Sequence, residues 1–285
     1  MQLSTPNFVF FDLLWHKLAQ SLIFSLNLSF SPFRIYVFCE AYMDTLNSFT
    51  GIVRRCVDDY GMIEAGDRIC VGISGGKDSL ILLLALRHLQ TFYPAPFELE
   101  AVTVDAGFPG MDFAAVEKLC EDIGVKYTRL VTDIREIVFD IRKESNPCSL
   151  CSKMRKGALN NYVRDNGFNK LALGHHFDDA VETFMMSLLL EGRLSCFKPV
   201  TFMSRSGVTQ IRPLLYAGEL RVAKLAETLQ VPVVVSTCPE DKTSKRAEFK
   251  ALLASLSEQY PDLRSKVFGA MQRLPLDGWG PGGKL

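Results

Sequence analysis

A glycine-rich stretch between two apolar runs is the part of the sequence best suited to bind phosphate. It reads Ser74-Gly75-Gly76-Lys77-Asp78-Ser79 and predicts a strand, a tight turn and a helix. Glycines let backbone N–H groups converge at the start of the helix, where the helix dipole also favours anions. Lys77 adds a cation, and Ser74 and Ser79 add hydroxyl donors. We therefore predict that this loop binds phosphate groups.

The residue that follows the lysine separates this loop from a Walker A loop. A Walker A loop has a serine or threonine there and a glycine five residues before its second glycine. Here Asp78 follows Lys77, and Val71 stands where the first glycine is needed. An ordinary strand-to-helix turn could also hold two glycines, but the flanking runs and the residue order favour phosphate binding.

The order Ser-Gly-Gly-x-Asp-Ser resembles the PP-loop of the ATP-pyrophosphatase family. The resemblance implies that ATP is split between its α and β phosphates. The loop would hold pyrophosphate, while AMP activates an oxygen of the substrate. It also implies that all six residues from Ser74 to Ser79 bind ATP and that Lys77 and Asp78 take part in catalysis.

A second motif follows about a hundred residues later, where a short strand leads into a helix. It reads Gly174-His175-His176-Phe177-Asp178-Asp179, and ligands bind at such strand ends in open α/β sheets. Asp178 and Asp179 are suited to cap the helix and to hold Mg²⁺ against phosphates. His175 and His176 are suited to contact phosphate or the activated oxygen. Taken alone, the stretch also fits a helix cap with adjacent histidines.

Together, the two motifs are similar to the branch of PP-loop enzymes that modifies tRNA, which includes the lysidine synthetases and the tRNA 2-thiocytidine synthetases. This resemblance implies a tRNA substrate and catalytic roles for His175, Asp178 and Asp179. It also implies that Gly174 lies at the nucleotide. Val104 and Asp105, at the end of the second predicted strand, occupy the place where the family holds adenosine.

A Cys-x-x-Cys pair, Cys148 and Cys151, is predicted on a loop that enters a basic helix. Two thiolates at this spacing can bind one metal or one corner of a cluster. A thioredoxin-type pair would follow the first strand of a smaller domain, and structural zinc needs four ligands where only one close pair exists. Two unconnected surface thiols are the remaining alternative.

A third cysteine, Cys238, follows a predicted strand at residues 233–235 and would open on the same face as the nucleotide. The resemblance to tRNA 2-thiocytidine synthetases implies that Cys148, Cys151 and Cys238 hold a [4Fe-4S] cluster whose fourth iron is open to sulfide or persulfide. Cys196 is the competing third ligand. The family's distant cysteine usually lies in a second Cys-x-x-Cys-like segment, whereas Cys238 stands alone.

Composition restricts the class of protein and the nature of its partners. The 285 residues are 48% apolar and 22% charged, as in globular domains with ample core. Lysine plus arginine and aspartate plus glutamate both number 32, so RNA binding must come from a local patch. A predicted basic face comprises Arg142, Lys143, Lys153, Arg155, Lys156, Arg164 and Lys170. Eight scattered cysteines indicate a reducing cytoplasm and not a disulfide framework.

The alternation of strands and helices predicts a doubly wound parallel sheet. The family resemblance implies its adenine nucleotide alpha hydrolase-like form. We expect this domain at residues 44–272 and a loose tail at 273–285. Residues 1–43 are predicted to be an extension upstream of a natural start at Met43. They lack the early basic residues of a signal peptide, and polar residues interrupt the apolar stretch 18–39, so no membrane partner is expected.

These features predict ATP-, Mg²⁺- and iron–sulfur-dependent thiolation of a tRNA base, with cytidine C2 in the anticodon loop favoured. A sulfur donor such as a cysteine desulfurase would be a partner, and a homodimer is left open. A lysidine-synthetase-like ligase is an alternative that would need no cysteines. A PP-loop enzyme acting on a small molecule would hold zinc in place of iron. A non-catalytic nucleotide-binding module would bind ATP without releasing pyrophosphate.

Overall fold

The structure is a computed structural model that describes residues 32–143, 146–239, 245–274 and 276–280, with side chains from Thr45 onward. The described strands form one six-stranded sheet in the order β3-β2-β1-β4-β6-β5. All neighbours are parallel except β5 and β6. The strands are β1 Arg68–Gly72, β2 Glu98–Asp105, β3 Lys126–Val131, β4 Lys170–Ala172, β5 Val200–Met203 and β6 Val208–Ile211.

Helices cover both faces of this sheet, as the side chains of β1 show. Ile69 and Val71 lie in the main core, whereas Cys70 between them lies in a second apolar cluster with Val163. This alternation is the period of a strand buried on both faces, so the predicted doubly wound parallel sheet is confirmed. The helices are α1 Pro32–Asp59, α2 Lys77–Leu89, α3 Ala114–Asp122, α4 Pro147–Asp165, α5 Phe177–Glu191, α6 Glu219–Thr228, α7 Lys245–Gln259 and α8 Leu263–Arg273. A π-helical turn, Glu136–Ile141, and a 3-10 turn, Pro213–Tyr216, complete the fold.

Three local expectations from the sequence are wrong. The antiparallel strand β5 was not predicted, and residues 233–235 form no strand. Cys148 and Cys151 lie inside the first turns of α4 and not on a loop before it. Proline at the first helical position and the Asn146 cap start this helix early, with Asn146 Oδ1 accepting the Ser149 N–H at 3.3 Å.

The N-terminal helix α1 begins at Pro32, so Met43 lies within it. Residues 1–31 of the predicted extension lie outside the described residues, and the domain boundary there stays a prediction. In the described part of the chain, no helix combines the length and the apolar character that crossing a membrane requires.

Within the predicted loose tail at 273–285, of which residues 275 and 281–285 lie outside the described residues, the structure anchors Trp279. The Trp279 side chain is fully buried, its indole N–H donates to Phe197 O at 3.1 Å, and its carbonyl lies 3.4 Å from the Tyr60 hydroxyl. Its ring meets Phe268 edge to face at a centroid distance of 5.4 Å. Burial of a large aromatic ring with a satisfied N–H outweighs the conformational freedom of the surrounding glycines.

Replacing Trp279 with alanine should lower the free energy of unfolding by about 3–5 kcal/mol, because it leaves a large cavity in the core. Urea unfolding followed by circular dichroism measures this difference. Leu274→Ala is the control, since that neighbouring side chain is 47% exposed and should change stability little. Equal stability of the Trp279 variant and the wild type would contradict the anchoring role.

Candidate active site

The predicted phosphate loop is folded around two serine hydroxyls. Ser79 Oγ accepts the Ser74 N–H at 3.1 Å and donates to Gly76 O at 3.0 Å, while Ser74 Oγ lies 3.1 Å from Ser79 Oγ. Gly75 has a φ of +86°, which favours glycine. Gly76 precedes α2 and supplies no side-chain cap. The first-turn N–H groups of α2 are therefore presented to an anion.

The two charged residues of the loop face the beginning of α6. Lys77 Nζ lies 3.1 Å from Asp78 Oδ1 and 3.6 Å from Glu219 Oε1. Both the Lys77 and the Asp78 side chains are about one-third exposed. Lys77 thus has carboxylate partners in this structure, and a bound phosphate would compete with them for its ammonium group.

The second motif lies directly against the loop, as the sequence predicted for a shared site. A β-carbon added to Gly174 would lie 3.0 Å from Ser79 N and 3.1 Å from the carbonyl carbon of Asp78. Both neighbours are backbone atoms, so a larger residue would push the two motifs apart. Glycine at this position permits the close approach of β4 and α2.

The residues that follow Gly174 begin α5 with a reciprocal cap. His176 Nδ1 accepts the Asp179 N–H at 3.4 Å, and Asp179 Oδ2 accepts the His176 N–H at 2.9 Å. His176 is buried, and its Nε2 lies 3.9 Å from Asp78 Oδ1. The cap therefore links the helix start to the phosphate loop.

Asp178 is held by the protein through both carboxylate oxygens. Its Oδ2 accepts the Glu219 N–H at 2.7 Å, and its Oδ1 accepts from Arg264 at 2.8 Å. These contacts tie α5 to α6 and α8. They favour a positioning role for Asp178. That Asp178 also binds magnesium stays a prediction.

His175 lies behind the site in an environment that disfavours a positive charge. Burial, with a smaller contribution from nearby Arg212, lowers the pKa of His175 to about 3. Its ring lies 4.9 Å from the ring of Phe197, and its Nδ1 has no hydrogen-bond partner among the described residues. His175 is therefore neutral at physiological pH and cannot act as a cation towards phosphate.

The depressed pKa of His175 should make the protein less stable in mild acid. The pKa is depressed in the folded state, so between the ordinary value of 6.5 and about 3 the unfolded chain binds a proton that the folded chain does not. Stability is then lost as pH falls through this window. His175→Phe should show a shallower loss, measured as the urea midpoint at several pH values from 7 to 4.5. Parallel pH profiles of the two proteins would contradict this assignment.

The end of β2 forms an apolar wall beside the loop. Val104 lines the cavity there, together with Ala106, Phe108, Met111 and Phe113. Asp105 instead shapes the turn, since its Oδ1 accepts the Gly107 N–H at 2.9 Å and its Oδ2 accepts from Arg129 Nε at 3.0 Å. Of the two residues predicted to hold adenosine, Val104 is the one that faces the cavity.

One cavity of about 1110 Å³ joins the phosphate loop to the cysteines. Its lining includes Ser74 and Gly76 of the loop and also Cys148, Cys151, Cys196 and Cys238. Cys148 is exposed and Cys151 is buried. Burial raises the pKa of the Cys151 thiol, Arg155 lowers it, and the nearby Cys238 and Cys148 thiols raise it. The three predicted cluster ligands thus all line this cavity, as does Cys196.

The thiols on this cavity are a donor set of the kind that iron–sulfur clusters use. Each cysteine of a [4Fe-4S] cluster binds a different iron, so the ligands surround a volume and do not meet at a point. Apolar side chains around Cys151, among them Phe108, Phe139 and Met154, provide the shielded setting that such a cluster needs.

Cys196 is less suited than Cys238 to be the third ligand. Its Sγ lies 3.5 Å from Ala180 O on α5, and its side chain packs against the main core. Burial raises the pKa of the Cys196 thiol to about 12. The neighbouring thiols that raise the pKa of Cys151 are those of Cys238 and Cys148.

Two arginines of the site were not predicted. Arg246, near the start of α7, lines the cavity, donates to Thr183 Oγ1 at 2.8 Å and lies 3.8 Å from both Asp179 and Glu182. Arg212 is buried and lies 4.9 Å from the ring centre of Phe197. No local sequence pattern marks Arg246, because its partners on α5 lie some sixty residues earlier in the chain.

The basic face is smaller than the sequence suggested. Lys153, Arg155 and Lys156 of α4 are exposed, and Arg142 and Lys143 precede them. Lys170 is buried, with its Nζ 2.8 Å from Asp67 Oδ2 and donating to Met62 O at 2.9 Å. Arg164 pairs with Asp165 at 2.8 Å. The exposed cations therefore concentrate on the helix that carries Cys148 and Cys151.

Comparison with known proteins agrees with this geometry. The family model described as a PP-loop domain, ATP_bind_3, matches residues 50–253. The tRNA-cytidine(32) 2-sulfurtransferase of Syntrophotalea carbinolica is 38% identical over 76% of this chain and 85% of that protein. The Geobacter sulfurreducens protein of the same name is 36% identical over 77% and 86%. The chain belongs to the PP-loop family, alongside these tRNA sulfurtransferases.

A solved structure of a tRNA thiolase has a similar fold. The U34-tRNA thiolase NcsA of Methanococcus maripaludis, with its [4Fe-4S] cluster, superposes with a TM-score of 0.68 at 26% identity. The match covers 82% of this PP-loop protein and 79% of the thiolase. The predicted adenine nucleotide alpha hydrolase-like fold and the predicted family are confirmed.

Proposed function

We propose that this PP-loop protein is an ATP-dependent tRNA sulfurtransferase that replaces the C2 oxygen of a cytidine with sulfur. The observation that carries the proposal is the single cavity lined by both the phosphate loop and the cysteines. The group that activates the base oxygen and the group that delivers sulfur to C2 must both reach the same base. A shared cavity permits this. The tRNA-cytidine(32) 2-sulfurtransferase relatives support cytidine 32 as the target.

The first step is activation of the base oxygen. The loop backbone and the α2 N-terminus would hold the β and γ phosphates, with Lys77 neutralising the charge on the leaving pyrophosphate. The cytidine C2 oxygen attacks the α phosphorus, and the bond from that phosphorus to the bridging oxygen breaks. A magnesium ion at Asp179 would supply further charge neutralisation. Preorganised positioning and electrostatics carry this step.

In the second step a C–S bond forms at C2, the C–O bond breaks, and AMP leaves with the former base oxygen. A [4Fe-4S] cluster held by Cys148, Cys151 and Cys238 would supply the sulfur nucleophile at its open iron. Phe108 and Phe139 would limit water access to the activated base. A sulfur donor such as a cysteine desulfurase would renew the sulfur, with a thiol reductant supplying the two electrons that bring persulfide sulfur to the level of sulfide.

The tRNA would be bound by the exposed cations of α4. Lys153, Arg155 and Lys156 lie on the helix whose first turns carry two cluster cysteines, so phosphate contacts there would bring an RNA loop to the cavity mouth. Binding through such contacts is salt-dependent and carries little base specificity.

Anaerobic reconstitution tests the proposed function. The full chain is purified without oxygen, its iron and sulfide are quantified, and it is incubated with ATP, sulfide and tRNA lacking 2-thiocytidine. We expect 2-thiocytidine in the digested tRNA, with one AMP and one pyrophosphate released per thiolated base. Zinc in place of iron, or full activity of Cys148→Ser, would contradict the thiolase function in favour of the small-molecule enzyme or the ligase.

The third cluster ligand is tested by exchanging two cysteines separately. Cys238→Ala should lose most of its iron and its thiolation activity, because one iron then lacks its thiolate. Cys196→Ala should keep both, since Cys196 packs against α5. Each variant removes one cysteine sulfur from the lining of the same cavity, so each serves as the control of the other. The opposite pattern would make Cys196 the ligand.

A further inference from the structure

The segment that carries Cys238 has no regular structure of its own. Residues 231–239, here called the Cys238 segment, follow α6 and form neither helix nor strand. Val233 and Val235 are 50% and 79% exposed, so their side chains do little to hold the segment. Its position must come from a few specific contacts. One of them is made to the phosphate loop and another to the loop that follows β2.

The first anchor joins the Cys238 segment to the phosphate loop. Val234 N donates to Gly75 O at 2.9 Å. A β-carbon added to Gly75 would lie 2.8 Å from Val234 Cβ, so the valine side chain packs directly on the backbone of the loop. Any shift of Gly75 on phosphate binding is therefore transmitted to Val234, because close-packed contacts of this kind do not absorb displacement.

The second anchor joins the segment to the loop that follows β2. Thr237 Oγ1 donates to Pro109 O at 2.9 Å, and its methyl group lies 3.7 Å from the position of a β-carbon on Gly110. Phe108 and Met111, on either side of this pair, line the wall of the cavity beside the phosphate loop. Thr237 precedes Cys238 directly, so this hydrogen bond fixes the backbone from which the thiol projects.

We infer that Val234 and Thr237 are positioning residues that couple nucleotide binding to the placement of the Cys238 thiol. The inference rests on the proposed function for the nucleotide and the cluster. Coupling between two sites is reciprocal, so cluster binding at Cys238 must tighten nucleotide binding by the same factor as nucleotide tightens the cluster. Neither residue touches a reacting atom; each acts through the backbone next to Cys238.

The test measures nucleotide affinity in the cluster-loaded and the cluster-free full chain. The ligand is α,β-methylene ATP, whose α–β linkage is not cleaved, and calorimetry is done anaerobically. We expect binding at least about fivefold tighter in the cluster-loaded protein, within the usual range of such couplings. The electron paramagnetic resonance spectrum of the reduced cluster should also change on addition of this nucleotide.

Two variants of Thr237 separate positioning from mere structure. Thr237→Val keeps the shape but removes the donor to Pro109, and the affinity ratio should fall towards one. Thr237→Ser keeps the hydroxyl and should retain the ratio and the spectral change. Val234→Ala should weaken the coupling through the loss of packing on Gly75. Val235→Ala is the matched control and should behave as the wild type, because that side chain is exposed.

The failures of this inference and of the proposed function are distinguishable. A wild-type protein that holds iron and makes 2-thiocytidine, yet binds α,β-methylene ATP equally with and without the cluster, would overturn the coupling alone. An unchanged affinity ratio in Thr237→Val would overturn the role of that residue. A wild-type protein that binds no iron would overturn both the coupling and the proposed function.

Discussion

Replacing Cys151 with alanine should abolish iron binding and reduce tRNA thiolation to background. Cys151 is the buried member of the Cys-x-x-Cys pair, and its thiol is influenced by both Cys148 and Cys238. It lies among apolar side chains on the wall of the cavity that also holds the phosphate loop. In the proposed cluster Cys151 binds one iron, so its removal leaves that iron without its thiolate.

The measurement is iron and acid-labile sulfide per chain after anaerobic reconstitution, together with 2-thiocytidine formed per minute. Binding of α,β-methylene ATP should match that of the cluster-free wild-type protein, because the phosphate loop is untouched. Cys120→Ala is the control, since Cys120 is buried on α3 away from the cavity. A Cys151 variant that keeps its iron would rule out this thiol as a ligand.

A methyl group on Gly174 should lower the rate of thiolation about 100-fold, the scale of loss expected when a reacting group is displaced by about 1 Å. The added β-carbon would lie 3.0 Å from Ser79 N and 3.1 Å from the carbonyl carbon of Asp78. Neither backbone atom can rotate away as a side chain would. The phosphate loop must therefore move relative to the start of α5, which carries His176 and Asp179.

Pyrophosphate release and α,β-methylene ATP affinity measure the effect of Gly174→Ala. Gly51→Ala is the matched control, because nothing lies within 4 Å of an added β-carbon at that exposed position of α1. The control should gain stability by about 0.5–1 kcal/mol, as alanine replaces glycine inside a helix, and keep its activity. Wild-type kinetics in Gly174→Ala would show that the two motifs do not act as one site.

Elements with strong local patterns were predictable from the sequence. The strand and helix predicted around the phosphate loop are β1 and α2, and the short strand and helix predicted around the second motif are β4 and α5. Their period, glycines and apolar runs are properties of neighbouring residues. The missed strand β5 is a short antiparallel edge strand, where no alternation of buried residues is required.

Residues 233–235 show the opposite error. Three consecutive valines have a high propensity for strands, yet here the segment pairs with no strand and is held by one backbone hydrogen bond to the phosphate loop. Tertiary contacts decided against propensity. The predicted consequence, that Cys238 reaches the nucleotide side, still agrees with its place on the cavity wall.

The sequence by itself determined the family and the phosphate loop, because these depend on residue types at short spacing. The tertiary structure decided which side chains share a cavity. It directed Asp105, Asp178 and Lys170 into internal contacts, and it brought Arg246 to the site across the fold. Ion pairs and packing between distant segments arise only when the sheet has assembled, and no local pattern records them.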